Sequence, residues 1–100
     1  MATPEKLVKQ KVVKQLKALG CYYFYPVTGG YGASGVPDIV ACVRGQFVGI
    51  ECKADATKKG PTALQLKNLT EIEENGGVSM VIDKHNVSDF TALLTEKCDL

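Results

Sequence analysis

One histidine, no tryptophan and no C-x-x-C pair leave this 100-residue chain without the usual ligands of a structural zinc site. Its cysteines, Cys21, Cys42, Cys52 and Cys98, stand apart from one another and from His85. No disulfide framework is indicated, and they read as reduced thiols serving mostly as small core residues. No apolar run approaches the length of a membrane span, and the N-terminal lysines are not followed by an apolar signal core. A cytoplasmic protein is expected (host cytoplasm if virus-encoded). Repeats, low-complexity tracts and linkers are missing too, so residues 1–100 read as one domain around a single core. An excess of one charge is also absent: with a net charge of +1, bulk composition carries no nucleic-acid signature.

The distribution of charge says more. Lys6, Lys9, Lys11, Lys14 and Lys17 crowd the first segment, and Lys53, Lys58 and Lys59 cluster mid-chain. Glu71, Glu73, Glu74, Asp83, Asp89, Glu96 and Asp99 load the remainder. Two readings stand for the first segment: one side that faces phosphates, or a solvated lysine face.

Thr3-Pro4-Glu5 reads as a helix start, with Val8, Val12, Leu16 and Leu19 at helical spacing and Gly20 as the stop. Tyr22 to Tyr25 suits a short strand, and the glycine-rich stretch from Pro26 to Val36 is a loop. Asp38 to Val43 and Gln46 to Lys53 are two strands joined at Arg44-Gly45. After a polar loop from Ala54 to Pro61, a second helix runs from Thr62 to about Asn75, with Leu66, Leu69 and Ile72 on its buried face and Gly76-Gly77 as its end. Val78 to Ile82 is a further strand, and a last helix starts at Asn86 or Ser88 and carries Phe90, Leu93 and Leu94. The order α-β-β-β-α-β-α predicts an α/β fold with a mixed sheet flanked by helices.

Gly35-Val36-Pro37-Asp38 and Ile50-Glu51-Cys52-Lys53 place three charged residues where strands normally hold apolar ones. If Arg44-Gly45 is a two-residue hairpin loop, Val43 faces Gln46, and counting outward sets Asp38 opposite Glu51. Opposed Cβ atoms lie about 5 Å apart, and Lys53 falls diagonal to Asp38 at about 7–8 Å. Arginine is unusual in such a turn, so a longer loop or a bulge stays open, and a slip of one residue would bring Cys52 opposite instead. Two carboxylates this close repel unless a cation sits between them, and such oxygen donors suit Mg²⁺, with Mn²⁺ as a substitute. The competing reading is a cross-strand acid pair softened by a salt bridge to Lys53.

Gly-Val-Pro-Asp, a strand pair, Ile-Glu-Cys-Lys and then a helix opening Thr62-x-x-Gln65 together resemble the PD-(D/E)XK nuclease superfamily. Within it the pattern is most similar to short stand-alone, phage-type members of the VRR-NUC family. The resemblance runs from the first helix to the strand ending near Asp83. It implies a restriction-endonuclease-like core and a metal-dependent DNA endonuclease. Asp38, Glu51 and the Cys52 backbone carbonyl would hold Mg²⁺, and Lys53 would orient the attacking water. Gln65 and Glu5 are further catalytic candidates. Gln65 also completes a capping box with Thr62, and Glu5 also suits the positive end of its helix dipole, so both alternatives stay open. Short members behave like Holliday junction resolvases, which implies a four-way junction as substrate, a role in replication, repair or recombination, and a homodimer able to cut symmetrically. A non-catalytic nucleic-acid-binding module with the same fold is the alternative.

Residues 30–35 spell G-x-G-x-x-G, but a strand follows rather than a helix, so no nucleotide cofactor is expected. As a loop feeding into Asp38, the segment offers Tyr31 and Ser34 as DNA contacts beside Lys58 and Lys59; an ordinary surface loop is the other reading. His85 reads as a surface residue. The Tyr22–Tyr25 run reads as core packing or a subunit contact rather than a base-stacking platform.

Overall fold

A computed structural model describes residues 2–27 and 35–100 of the chain. Helix α1 (Pro4–Leu19) starts where the Thr3 hydroxyl accepts a hydrogen bond from the Lys6 N–H at 3.2 Å, with Pro4 in the first turn. It ends at Gly20, whose φ of 72° lets its N–H reach back to the Leu16 and Lys17 carbonyls. Val8, Val12, Val13 and Leu16 form its buried stripe. Leu19 belongs to the expected apolar series but is exposed, lying in the final turn just before the chain departs at Gly20.

Four strands follow in one sheet of order β1-β2-β3-β4: β1 (Tyr22–Phe24), β2 (Ile39–Val43), β3 (Gln46–Cys52) and β4 (Val78–Ile82). The first two pairings are antiparallel and β3–β4 is parallel, so the sheet is mixed. The parallel pair needs a crossover, which α2 (Ala63–Glu74) supplies. A 3₁₀ turn, Val87–Asp89, leads into α3 (Phe90–Lys97).

The hairpin between β2 and β3 has the two-residue loop. Val43 pairs with Gln46, and Arg44 and Gly45 have φ of 49° and 87°, the positive pair that a type I′ turn demands. A side chain at the first of these positions costs about 1 kcal/mol, which the long β2–β3 ladder offsets. The ladder runs without a bulge from Val43–Gln46 to Ile39–Ile50.

Period-two alternation divides the sheet into two unlike faces. Ile39, Ala41, Val43, Val48, Ile50, Cys52, Met80 and Ile82 point into a core closed by α1 and by Phe90 and Leu94 of α3. The other face carries α2, which sits very close. A Cβ on Gly49 would lie 2.6 Å from Ile72 Cδ1 and 2.9 Å from Pro37 Cγ, so glycine is what lets the helix dock there. The apolar stripe of α2 differs from the Leu66–Leu69–Ile72 face expected from spacing. Leu69 is buried and Ile72 half-buried, but Leu66 is 51% exposed. Gln65 and Asn68 take the neighbouring inward arc, so part of the sheet-facing surface of this helix is polar.

The cysteines split. Cys52 and Cys98 are buried core residues, Cys21 is half-buried, and Cys42 is exposed. Of the aromatic run, Tyr23 packs against the core while Tyr22, Phe24 and Tyr25 are exposed. No helix among the described residues is long and apolar enough to cross a membrane.

Candidate active site

The paired register ends at Ile39–Ile50, and the next residues outward on the two strands are Asp38 and Glu51. Asp38 lies just before β2, and its Oδ2 accepts a hydrogen bond from the Cys52 N–H at 2.8 Å. That bond continues the β2–β3 ladder by one rung, with a side chain standing in for backbone. In an extended strand the N–H and C=O of one residue leave the same edge, so the Cys52 carbonyl points toward the Asp38 edge as well. The neighbouring Lys53 N–H turns the other way, to the Ile82 carbonyl of β4 at 2.9 Å.

Glu51 is 1% exposed, an unusual state for a carboxylate on a sheet face. Burial pushes its carboxyl up to about 8; a hydrogen bond to Asp38 and the Asp38 charge push the same way, and Lys53 opposes them. Asp38 accepts a hydrogen bond from Glu51 only when Glu51 holds a proton. Its Oε1 accepts from Gln65 Nε2 at 3.1 Å and lies 3.9 Å from Lys53 Nζ. Its Oε2 is buried and receives no hydrogen bond. When Glu51 is ionised, this oxygen beside a second carboxylate is a deficiency that a proton or a cation would fill.

Gln65 fills both of the roles between which its sequence context left a choice. Its Oε1 accepts from the Thr62 N–H at 2.9 Å while the Thr62 hydroxyl accepts from the Gln65 N–H at 3.2 Å, a complete capping box. With the oxygen engaged by the cap, the amide nitrogen is left to reach Glu51. The cap therefore fixes which end of the amide faces the carboxylate.

Glu5 stands at the mouth of the site. It lines a cleft of ≈ 210 Å³ with Thr3, Lys6, Lys9, Asp38 and Cys52, and an adjoining one of ≈ 290 Å³ with Lys53, Asp55, Lys58 and Lys59. Its charge contributes the smallest of the upward influences on Glu51. Lys58 and Lys59 are exposed on the rim of the second cleft. Tyr31 and Ser34 lie outside the described residues. Gly35, which ends that segment, has φ of 78°, and a Cβ there would come within 2.7 Å of the Leu64 backbone, so the chain enters Pro37-Asp38 pressed against the first turn of α2. The Cys52 thiol belongs to the core, and burial, then the Asp38 and Glu51 charges, push it up to about 12.

Lys6 and Lys9, two of the lysines that crowd the first segment, line the Asp38 cleft. One group escaped the sequence. Asp55, Asp83 and His85 form a second acidic group with ligand atoms within 4.8 Å of one another. Its oxygens are already engaged. Asp83 accepts from the Ala56 and His85 N–H groups at 2.8 Å each, and Asp55 accepts from Thr57 and faces His85 Nε2 at 3.2 Å and Lys84 Nζ at 3.5 Å. Burial alone would raise the Asp83 carboxyl, but its backbone hydrogen bonds prevail and hold it low. This cluster staples the loop after β3 to the end of β4, and its oxygens offer no deficiency like that of Glu51. Compared with protein-family models, with curated proteins and with solved structures, the chain finds no match.

Proposed function

We propose that this chain is a Mg²⁺-dependent, structure-selective DNA endonuclease of VRR-NUC type with a restriction-endonuclease-like core, acting on four-way junctions as a homodimer. The observation that carries it is Glu51: buried, with one oxygen lacking a donor, beside Asp38, Lys53 and Gln65. The donor set fits the ion, because Asp38, Glu51 and the Cys52 carbonyl are all hard oxygen ligands, and Mn²⁺ substitutes on the same grounds. When bound, such an ion polarises a phosphoryl oxygen and makes water nucleophilic at neutral pH.

The chain's own groups divide the remaining work. The bond from the Cys52 N–H anchors Asp38, and Gln65 orients Glu51 from the capped start of α2. Lys53 presents its ammonium to the cleft that also holds Glu5, Lys58 and Lys59, where it orients water and offsets negative charge on a scissile phosphate. Glu5, which lines the same cleft, accepts a hydrogen bond from that water.

The test uses end-labelled four-way junction, flap and duplex DNA with Mg²⁺, Mn²⁺ or EDTA. Metal-dependent cleavage of the junction is expected, falling at least about 10²-fold in Asp38→Ala and Lys53→Ala. Junction binding without metal-dependent cleavage would instead identify a non-catalytic nucleic-acid-binding module, and cleavage unchanged in Asp38→Ala would overturn the assignment of this site.

A further inference from the structure

A groove of ≈ 520 Å³ is separate from the carboxylates. It runs along α1 beneath Tyr25 and is lined by Lys6, Lys9, Gln10, Lys14 and Lys17, with Val13 at its floor. Lys6 and Lys9 also line the Asp38 cleft, so the two depressions share these residues. Lys9 holds its ammonium 4.6 Å from the centre of the Tyr25 ring, a cation–π contact that fixes a positive charge between them. Among the described residues none of the four lysines makes a salt bridge, and no acid lines the groove. The charges of these lysines are therefore not offset by a paired acid.

We propose that this groove is a phosphate path, in which Lys6, Lys9, Lys14 and Lys17 hold one strand of DNA and lead it to Asp38 and Glu51. From Lys6 to Lys17 the helix rises about 16 Å, the axial length of about five phosphates on one strand. A concave groove that shares Lys6 and Lys9 with the Asp38 cleft suits a strand better than the flat surface of an anionic membrane. The proposal rests on DNA as the substrate, yet it assigns binding to residues that touch neither carboxylate. Binding through it needs no metal.

The test measures binding of labelled single-stranded and junction DNA by fluorescence anisotropy in EDTA across a salt series. Lys14→Glu/Lys17→Glu is expected to weaken binding at least about 10-fold and to lower the slope of log K against log salt by about 2. Lys14→Gln/Lys17→Gln should reproduce that slope change while sparing the helix the added acids, and circular dichroism verifies folding. Lys11→Gln/Lys97→Gln removes the same charge outside the groove and should stay within about twofold of wild type, because neither residue lines the path. Equal losses in the groove and control variants would overturn the path, as would wild-type binding to anionic vesicles in preference to DNA. Groove-dependent binding without metal-dependent cleavage would uphold the path while removing the nuclease reading. Cleavage intact in Lys14→Gln/Lys17→Gln, with unchanged affinity, would do the reverse.

Discussion

At the scale of single residues, Glu51 couples the site to stability. Its carboxyl rises from an ordinary 4.5 to about 8 in the folded protein, with burial as the leading cause. Between those values the folded chain holds a proton that the unfolded chain releases, so the contribution of Glu51 to stability is fully present below pH 4.5 and is lost as pH rises toward 8. At about 1.36 kcal/mol per unit, the effect is on the order of a few kcal/mol. The metal-free protein should melt at progressively lower temperature from pH 5 to 8.5, and Glu51→Gln should flatten the trend and melt higher at pH 8. Mg²⁺ or Mn²⁺ should restore wild type at pH 8 but leave Glu51→Gln unmoved, since only ionised oxygens hold the ion tightly. Parallel pH curves for the two proteins would show that Glu51 is not held in its costly state. The thiols give a second residue-level expectation. Cys42 is exposed while Cys52 and Cys98 are buried, so a thiol reagent should modify Cys42 rapidly and the buried pair only after unfolding. Fast modification of Cys52 in the native protein would contradict the core assignment.

At the scale of elements, α2 is both lid and ligand support. Gln65→Glu keeps a residue able to complete the capping box but sets a second carboxylate against Glu51, whereas Gln65→Ala removes cap and contact together. Helix content should survive in Gln65→Glu while junction cleavage collapses; a melting loss of about 1 kcal/mol confined to Gln65→Ala, with activity retained in both variants, would reduce Gln65 to a cap. Gly49→Val should destabilise by about 1–3 kcal/mol, because the added carbons meet Ile72 and Pro37, and denaturant midpoints would register it. Much of this level was legible from sequence. The two-residue turn and strict alternation placed Asp38 level with Glu51, since register follows from loop length. The inward face of α2 was not legible. Leu66 matched an apolar stripe, but the sheet beneath offers glycine and a carboxylate, so Gln65 and Asn68 took that arc. The lysine groove was hidden for another reason: it exists only once β1 carries Tyr25 back over α1.

At the scale of the whole molecule, the fold measures 33 × 33 × 24 Å, about one turn of duplex in its longest direction. One site on so small a body reaches one strand at a time, so symmetric cutting of a junction calls for two copies. If the homodimer is correct, an equimolar mixture of wild-type and Asp38→Ala chains, exchanged before assay, should accumulate junctions cut on one strand only. Paired cuts at undiminished proportion would show that each chain acts alone, and sedimentation would report the matching mass.

Strand β3 has a consequence for how this protein tolerates variation. Its residues alternate between Val48, Ile50 and Cys52 in the core and Gly49 and Glu51 beneath α2, with Lys53 just beyond. A saturation scan scored once for abundance and once for cleavage would then carry two interleaved signals along the same few residues. Abundance would dip at the even positions and at Gly49, where the backbone itself is crowded. Cleavage would dip at Glu51 and Lys53, with abundance spared at Lys53 and, at the buried Glu51, in the near-isosteric Glu51→Gln. Chemistry could thus be lost, or altered, by single substitutions that leave a well-folded protein in the cell.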